Sequence, residues 1–249
     1  MSQRIQLVIA YDGAPFAGWQ SQANGKGVQD YLESAVTKIC KRRTTIHGAG
    51  RTDAGVHATG QCAHFDSEGV VLRVNEWVRA LNANLPNEIR VLRAKVRKPD
   101  FHARFSAVGK IYRYRIVTSP ILMPGDFRRA WHVPTPIDPA LLNHALQQVV
   151  GYHDFQPFSA KRTGKPVENT RRTIQSINVT RRSAEWLIAV RGDGFLYKMV
   201  RILVGSAVRV GQGRESESWM AELLTAPNDR KSSHVAPPDG LSLYRVIYP

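Results

Sequence analysis

Arg51 and Asp53 stand two residues apart in GAGRTDAGVHA, residues 48 to 58, among three glycines and three alanines. A carboxylate on such a loop can act as a nucleophile, and at its ordinary pKa of about 3.9 it is ionised at neutral pH. Arg51 would favour that state if the fold brings the two together, and the small neighbours allow backbone and substrate to approach closely. Three other readings compete. A dinucleotide loop of the form G-x-G-x-x-G requires glycine where Asp53 stands, and no Gly-Lys-Ser/Thr run is present for a Walker loop. A metal site could draw on Asp53, His57, Cys62 and His64, but their spacing matches no familiar ligand set. Lastly, Asp53 could cap a turn, a common use of Asp beside glycine. On spacing alone, nucleophile and turn cap stand level.

Elements must hold this loop in place. RIQLVIAY (4–11) alternates and reads as a strand. VQDYLESAVTKIC sets Val28, Leu32, Ala35, Val36 and Ile39 on one helical stripe. TTIH (44–47) and QCAHFD (61–66) read as strands flanking the loop. A helix carrying Trp77, Val78, Leu81 and Leu85 ends before Pro86, and IRVLRAKV (89–96) is a further strand. The order β-α-β-β-α-β then recurs. KIYRYRIVT (110–118) is a strand, and DPALLNHALQQVVG is a helix with an Asp cap and Pro in its first turn. RRTIQSINVT and EWLIAVRG form a hairpin around Arg182-Ser183. FLYKMVRILVGSAVRVG is an apolar helix, ESWMAELLTA an added one, and LSLYRVIY (241–248) closes the chain. The expected class is α+β: two ferredoxin-like halves, 1–106 and 107–249, with largely antiparallel sheets and a cleft between them.

Charge narrows the partner. Thirty-five Lys and Arg against 20 Asp and Glu give +15, with a pI near 10.3. The cations recur along the whole chain, as Lys41-Arg42-Arg43, Arg128-Arg129, Lys161-Arg162, Arg171-Arg172 and Arg181-Arg182, and so form no tail. A polyanionic partner, nucleic acid or an anionic membrane surface, fits this footprint. Apolar runs such as WLIAV (186–190) are too short to cross a bilayer. Two cysteines, Cys40 and Cys62, lack CxxC spacing and read as reduced thiols of a cytoplasmic protein.

GAGRTDAGVHA closely resembles the active-site motif of the TruA family of tRNA pseudouridine synthases. YDGAPFAGWQ (11–20), NANLP (82–86), FHARFSA (101–107), KIYRYRI (110–116) and FLYKMVRILVG (195–205) resemble further segments of that family in the same order. The resemblance spans essentially the whole chain. It implies the pseudouridine-synthase fold and isomerisation of uridine to pseudouridine at positions 38, 39 and 40 in the anticodon stem-loop of tRNA. It implies Asp53 as the catalytic nucleophile, Arg51 as a residue that holds the space of a flipped base, Tyr112 against the flipped uracil, and Arg201 as the partner of Asp53. It also implies a homodimer. An isomerisation transfers no electrons and adds no atoms, so neither redox cofactor nor ATP is expected, and the unfamiliar ligand spacing leaves no metal expected.

RNA contacts are expected from FHARF, where Phe101, His102, Ala103, Arg104 and Phe105 combine a cation with stacking surfaces. Further contacts are expected from Lys161, Arg162 and Lys165 in the basic loop SAKRTGKP (159–166), and from Tyr112. Phe101 and Phe105 read equally well as core, and Tyr114 reads as core. Two other function classes share parts of this pattern. A non-catalytic RNA-binding protein has the basic surface but no use for Asp53. A glycosidic-bond hydrolase requires two carboxylates, and Asp66 or Asp193 would have to supply the second.

Overall fold

Ile5, Leu7, Ile9 and Tyr11 are all buried along β1 (Arg4–Tyr11), as the alternation requires. The computed structural model describes residues 2–23, 25–160, 169–227 and 230–249. After β1 come α1 (Val28–Cys40), β2 (His47–Gly48), β3 (His57–Asp66), α2 (Val74–Asn82), β4 (Ile89–Arg97), β5 (Gly109–Val117), β6 (Trp131–His132) and α3 (Pro139–Gln147). They are followed by β7 (Gly151–Asp154), β8 (Arg171–Arg182), β9 (Glu185–Gly192), α4 (Met199–Gly211), α5 (Trp219–Thr225) and β10 (Leu241–Ile247). Two compact units result, one of residues up to 108 together with 242–249, the other of residues 109–241.

In the first unit β1 lies between β3 and β4 and is antiparallel to both. β2 adds antiparallel to β3, so the β-α-β-β-α-β segment has the ferredoxin-like strand order β4-β1-β3-β2. β10 runs parallel to β3, with Ser242 and Leu243 opposite His57 and Ala58. Trp77 of α2 packs edge-on to Phe65 of β3, with ring centroids 5.2 Å apart, and both are buried. Each such side chain removes roughly 150–250 Å² from water, an upper bound of about 4–6 kcal/mol at the usual area coefficient. The strand expected over 44–47 shrinks to His47–Gly48. The cause lies in α1. Ile46 N donates to Glu33 Oε1, and Ile46 O accepts from Gln29 Nε2, so the backbone of Ile46 is satisfied by side chains instead of a ladder.

In the second unit β5, β9, β8 and β7 pair antiparallel in that order, and β6 lies parallel to β5. The helix start read from Asp138-Pro139 is present. The Asp138 Oδ1 atom accepts from Ala140 N at 2.7 Å and from Leu141 N at 3.0 Å, the usual service of an Asp cap to the first orphan N–H groups. The hairpin expected at Arg182-Ser183 joins β8 to β9, with Ser183 at φ 53°. β6 and β7 are additions that the residue pattern did not signal, being two and four residues long. Nearly every residue of α4 is buried, and Arg201 is its one half-buried cation in the first turn. The fold is thus mixed α+β with mostly antiparallel sheet, as expected.

Candidate active site

Thr52 is the pivot of the loop between β2 and β3. It is buried, and its neighbours Arg51 and Asp53 are exposed and half-buried respectively. Its hydroxyl shares a 2.8 Å hydrogen bond with the Tyr11 hydroxyl, and its carbonyl accepts from Trp19 N at 3.0 Å. Burial pushes the Tyr11 phenol up to about 12, so it stays neutral in this bond. The loop is further tied by Gln61 Nε2 to Gly50 O at 2.8 Å, Ala49 N to Cys62 O at 2.7 Å, and Val56 N back to Asp53 O at 3.1 Å. The anchored Thr52 thus fixes the backbone between its two neighbours, and these are the cation and the carboxylate.

YDGAPFAGWQ is the other half of this construction. Gly13 lies so close to the loop that a Cβ there would stand 2.1 Å from Val56 O, and its N–H donates to His57 Nδ1 at 3.1 Å. A Cβ at Gly48 would stand 2.5 Å from the Trp19 ring. The close approach that small residues allow is thus made by the protein itself at these two positions, by backbone at Gly13 and by the Trp19 ring at Gly48. The residue pattern gave no notice of Tyr11, Trp19 and Thr52 as residues that set the loop. Their signal was the YDG and GWQ segments themselves, whose function only the contact reveals.

Asp66, considered as a second carboxylate, receives Arg4 Nε and Nη2 at 2.9 and 2.8 Å. That ion pair holds its carboxyl below the usual range. Asp66 also closes the far end of β3, whose first residue is His57. At ordinary strand spacing the two ends lie roughly 30 Å apart. Paired glycosidase carboxylates lie within about 10 Å of each other. The same strand spacing sets His57 and His64 about 23 Å apart, too far to share an ion. Among the described residues no three His, Cys, Asp or Glu side chains are grouped to hold a metal. Asp193, the other carboxylate considered, accepts from Thr173 N at 3.0 Å in the second unit.

The FHARF segment divides by burial. Phe101 and Ala103 are buried, His102 is half-buried, Arg104 is exposed, and Phe105 is 76% exposed. Ala103 is gripped on both sides: its N–H donates to His64 Nδ1 at 3.1 Å, and its carbonyl accepts from Tyr248 Oη at 2.7 Å. His102 Nδ1 accepts from the N–H groups of Arg104 and Phe105 at 3.1 and 3.3 Å, and its ring lies 4.4 Å from that of Phe105. His64 therefore serves as an acceptor, and burial together with His102, His47 and Arg4 lowers it to about 4. Burial lowers His102 as well. The Arg104 guanidinium lies 5.6 Å from the centre of the Phe105 ring. The result is an exposed aromatic beside a cation, on a loop whose backbone is held from below.

In the second unit Tyr112 of β5 is buried with its ring edge-on to Phe195, centroids 5.1 Å apart. Tyr114 is fully buried and its hydroxyl donates to Pro237 O at 2.7 Å, a core role as expected. Arg201 Nε donates to Ala236 O at 2.7 Å, and Ala236 N returns a bond to Arg201 O at 3.1 Å. Lys161, Arg162 and Lys165 lie outside the described residues.

Proteins similar to this chain are known. A family model described as tRNA pseudouridine synthase matches residues 7–106 and 145–249. The tRNA pseudouridine synthase A of Akkermansia muciniphila is 45% identical over 252 residues, covering 99% of this chain and 95% of its own. Those of Shewanella woodyi and Syntrophotalea carbinolica are 40% and 41% identical. They cover 99% and 98% of this chain, and 93% and 96% of their own.

Proposed function

Because this chain belongs to the tRNA pseudouridine synthase family, we propose that it isomerises uridine to pseudouridine in tRNA, at positions 38, 39 and 40 of the anticodon stem-loop, with Asp53 as nucleophile. The observation that supports the site assignment is the buried Thr52, whose two bonds to the YDG–GWQ segment hold Arg51 and Asp53 on a fixed loop. In the reaction the bond from ribose C1′ to N1 breaks and a bond from C1′ to C5 forms. N1 gains a proton and C5 loses one, so atoms and electrons balance within the substrate. A stacked uridine must first leave its stem, at a cost of a few kcal/mol. The exposed guanidinium of Arg51 suits the vacated space, since its plane stacks and its charge meets phosphate. Tyr112 is assigned to the uracil ring and Arg201 to the Asp53 carboxylate. Release of tritium to water from tRNA labelled at uridine C5, followed by mapping of the altered positions, tests the whole reading. Retention of the label would overturn it.

Arg104 and Phe105 are the RNA contacts that FHARF offers at its surface, while Phe101 and Ala103 hold the segment in place. Replacing Phe105 with Ala is expected to weaken tRNA binding about 5- to 100-fold, the usual worth of one stacked base. Being 76% exposed, the ring contributes little to the core, so the urea midpoint should stay at the wild-type value. Fluorescence anisotropy with labelled tRNA measures the first and circular dichroism the second.

The enzyme is further proposed to be a cytoplasmic homodimer. Cys40 and Cys62 are free and buried, which fits a reducing compartment, and no described helix is long and apolar enough to cross a membrane. Light scattering should return twice the chain mass of 27.9 kDa.

A further inference from the structure

A cavity of about 430 Å³ opens at the end of β4, lined by Lys95, Arg97, Lys98, Asp100, Phe101 and Tyr248 among others. It is separate from the Asp53 loop. Arg97 pairs with Arg4 at the start of β1, and Thr52 is bonded to Tyr11 at the other end of that strand. At strand spacing the length of β1 divides them, or roughly 23 Å. The volume falls within the ~300–1,000 Å³ range of sites for single organic ligands.

The lining is specific in its chemistry. The Arg97 guanidinium lies 4.7 Å from the centre of the Phe101 ring and 5.9 Å from that of Tyr248, and its Nε donates to Gln6 Oε1 at 2.7 Å. A planar cation is thereby fixed in the cavity wall over two aromatic rings. Planes of this kind stack nucleobases. Lys95 and Lys98 are exposed at the same place, where β4 is paired along one side by β1. Among the lining side chains three cations stand against the one carboxylate of Asp100, and they still outnumber the negative groups when the carboxyl group of Pro249 is added, so the site favours anions; Asp100 adds an acceptor of the kind that ribose hydroxyls satisfy.

We propose that this cavity seats a nucleotide of the tRNA remote from the uridine being isomerised. Its base lies on the Arg97 plane, its flanking phosphates meet Lys95 and Lys98, and its ribose 2′-hydroxyl donates to Asp100. A substrate far longer than one nucleotide can occupy this site and the Asp53 loop together. The proposal rests on the tRNA reading above. A free nucleoside monophosphate carries the same chemistry, so the test separates the two sources.

Full-length tRNA labelled at uridine C5 is given to the intact wild-type chain, to Lys95→Gln/Lys98→Gln and to Arg97→Lys. Tritium release gives KM and kcat, and anisotropy gives Kd for the same tRNA. The double variant should raise KM about tenfold, through two lost phosphate contacts, with kcat unchanged. Arg97→Lys should raise KM about threefold although the charge is kept, because the plane is lost. A diffuse electrostatic effect would leave Arg97→Lys unmoved, and that result overturns the proposal, as does a KM within twofold of wild type for the folded double variant. Melting temperatures confirm folding; if Arg97→Lys melts early, the double variant decides alone. Adenosine or uridine monophosphate is titrated calorimetrically in parallel. Binding to wild type but not to the double variant, with KM for tRNA unmoved, assigns the site to a free nucleotide and overturns the tRNA assignment. Should wild type release no tritium, the isomerase reading fails, and the tRNA Kd of the variants decides the cavity separately.

Discussion

Asp53→Asn is expected to lower the rate of tritium release from C5-labelled tRNA by a factor on the order of 10³ or more, while tRNA Kd stays within a few-fold of wild type. Removing a nucleophile that must manage both the departure of the base and its return leaves only binding and positioning, and losses of this size or larger accompany such removals. Asparagine keeps the volume and leaves the backbone of the loop its bonds: Thr52 O still accepts from Trp19 N, and Val56 N still reaches residue 53 O. The fold should therefore survive, and an unchanged urea midpoint would show it. Robust release by Asp53→Asn would remove the nucleophile from Asp53 and revive the turn-cap reading. A non-catalytic RNA-binding protein would instead release no tritium with or without the carboxylate, and would bind tRNA equally in both forms.

The second large effect is expected at Gly13, which lies outside the Asp53 loop and against it. A methyl group there meets Val56 O at 2.1 Å and Val56 C at 2.4 Å, both backbone atoms that cannot rotate aside. The loop must then move relative to β1, and overpacking of this kind costs about 1–3 kcal/mol of stability. Catalysis should suffer more than stability does. Thr52 would be drawn away from Tyr11 and Trp19, and a displacement of about 1 Å at a reacting group can cost about 100-fold in rate. Gly13→Ala should accordingly lower kcat about 100-fold in protein that still unfolds cooperatively, with KM for tRNA little changed. Urea unfolding and single-turnover tritium release read the two quantities. A wild-type kcat in folded Gly13→Ala would show that the loop does not depend on this contact.

What was legible in the sequence was short-range. The start of α3 is written in Asp138-Pro139, because a cap bonds to N–H groups two and three residues on. The β8–β9 turn is written in Arg182-Ser183, where one residue in the left-handed region reverses the chain. Alternation along β1 and the stripe on α1 announced their buried faces, since burial there follows from period alone. The carboxylate too was conspicuous locally, a charge among glycines, and family resemblance in GAGRTDAGVHA raised it above a turn cap.

Tertiary structure decided what depends on partners distant in the chain. β2 dwindled to two residues because side chains of α1 satisfied Ile46, and no property of TTIH foretells that. FHARF could be read as core or as contact with equal ease. Bonds from His64 and Tyr248, 39 and 145 residues from Ala103, put Ala103 in the core, Phe101 is buried with it, and Phe105 is left in solvent. The small residues of the Asp53 loop allow backbone or substrate to approach closely, and at Gly48 it is Trp19 that does so. Residue types, spacing and resemblance thus singled out the carboxylate. Only the fold decided what holds it, because a hydrogen bond or a steric contact is set by where two backbones meet, and that meeting is encoded in no single stretch of either.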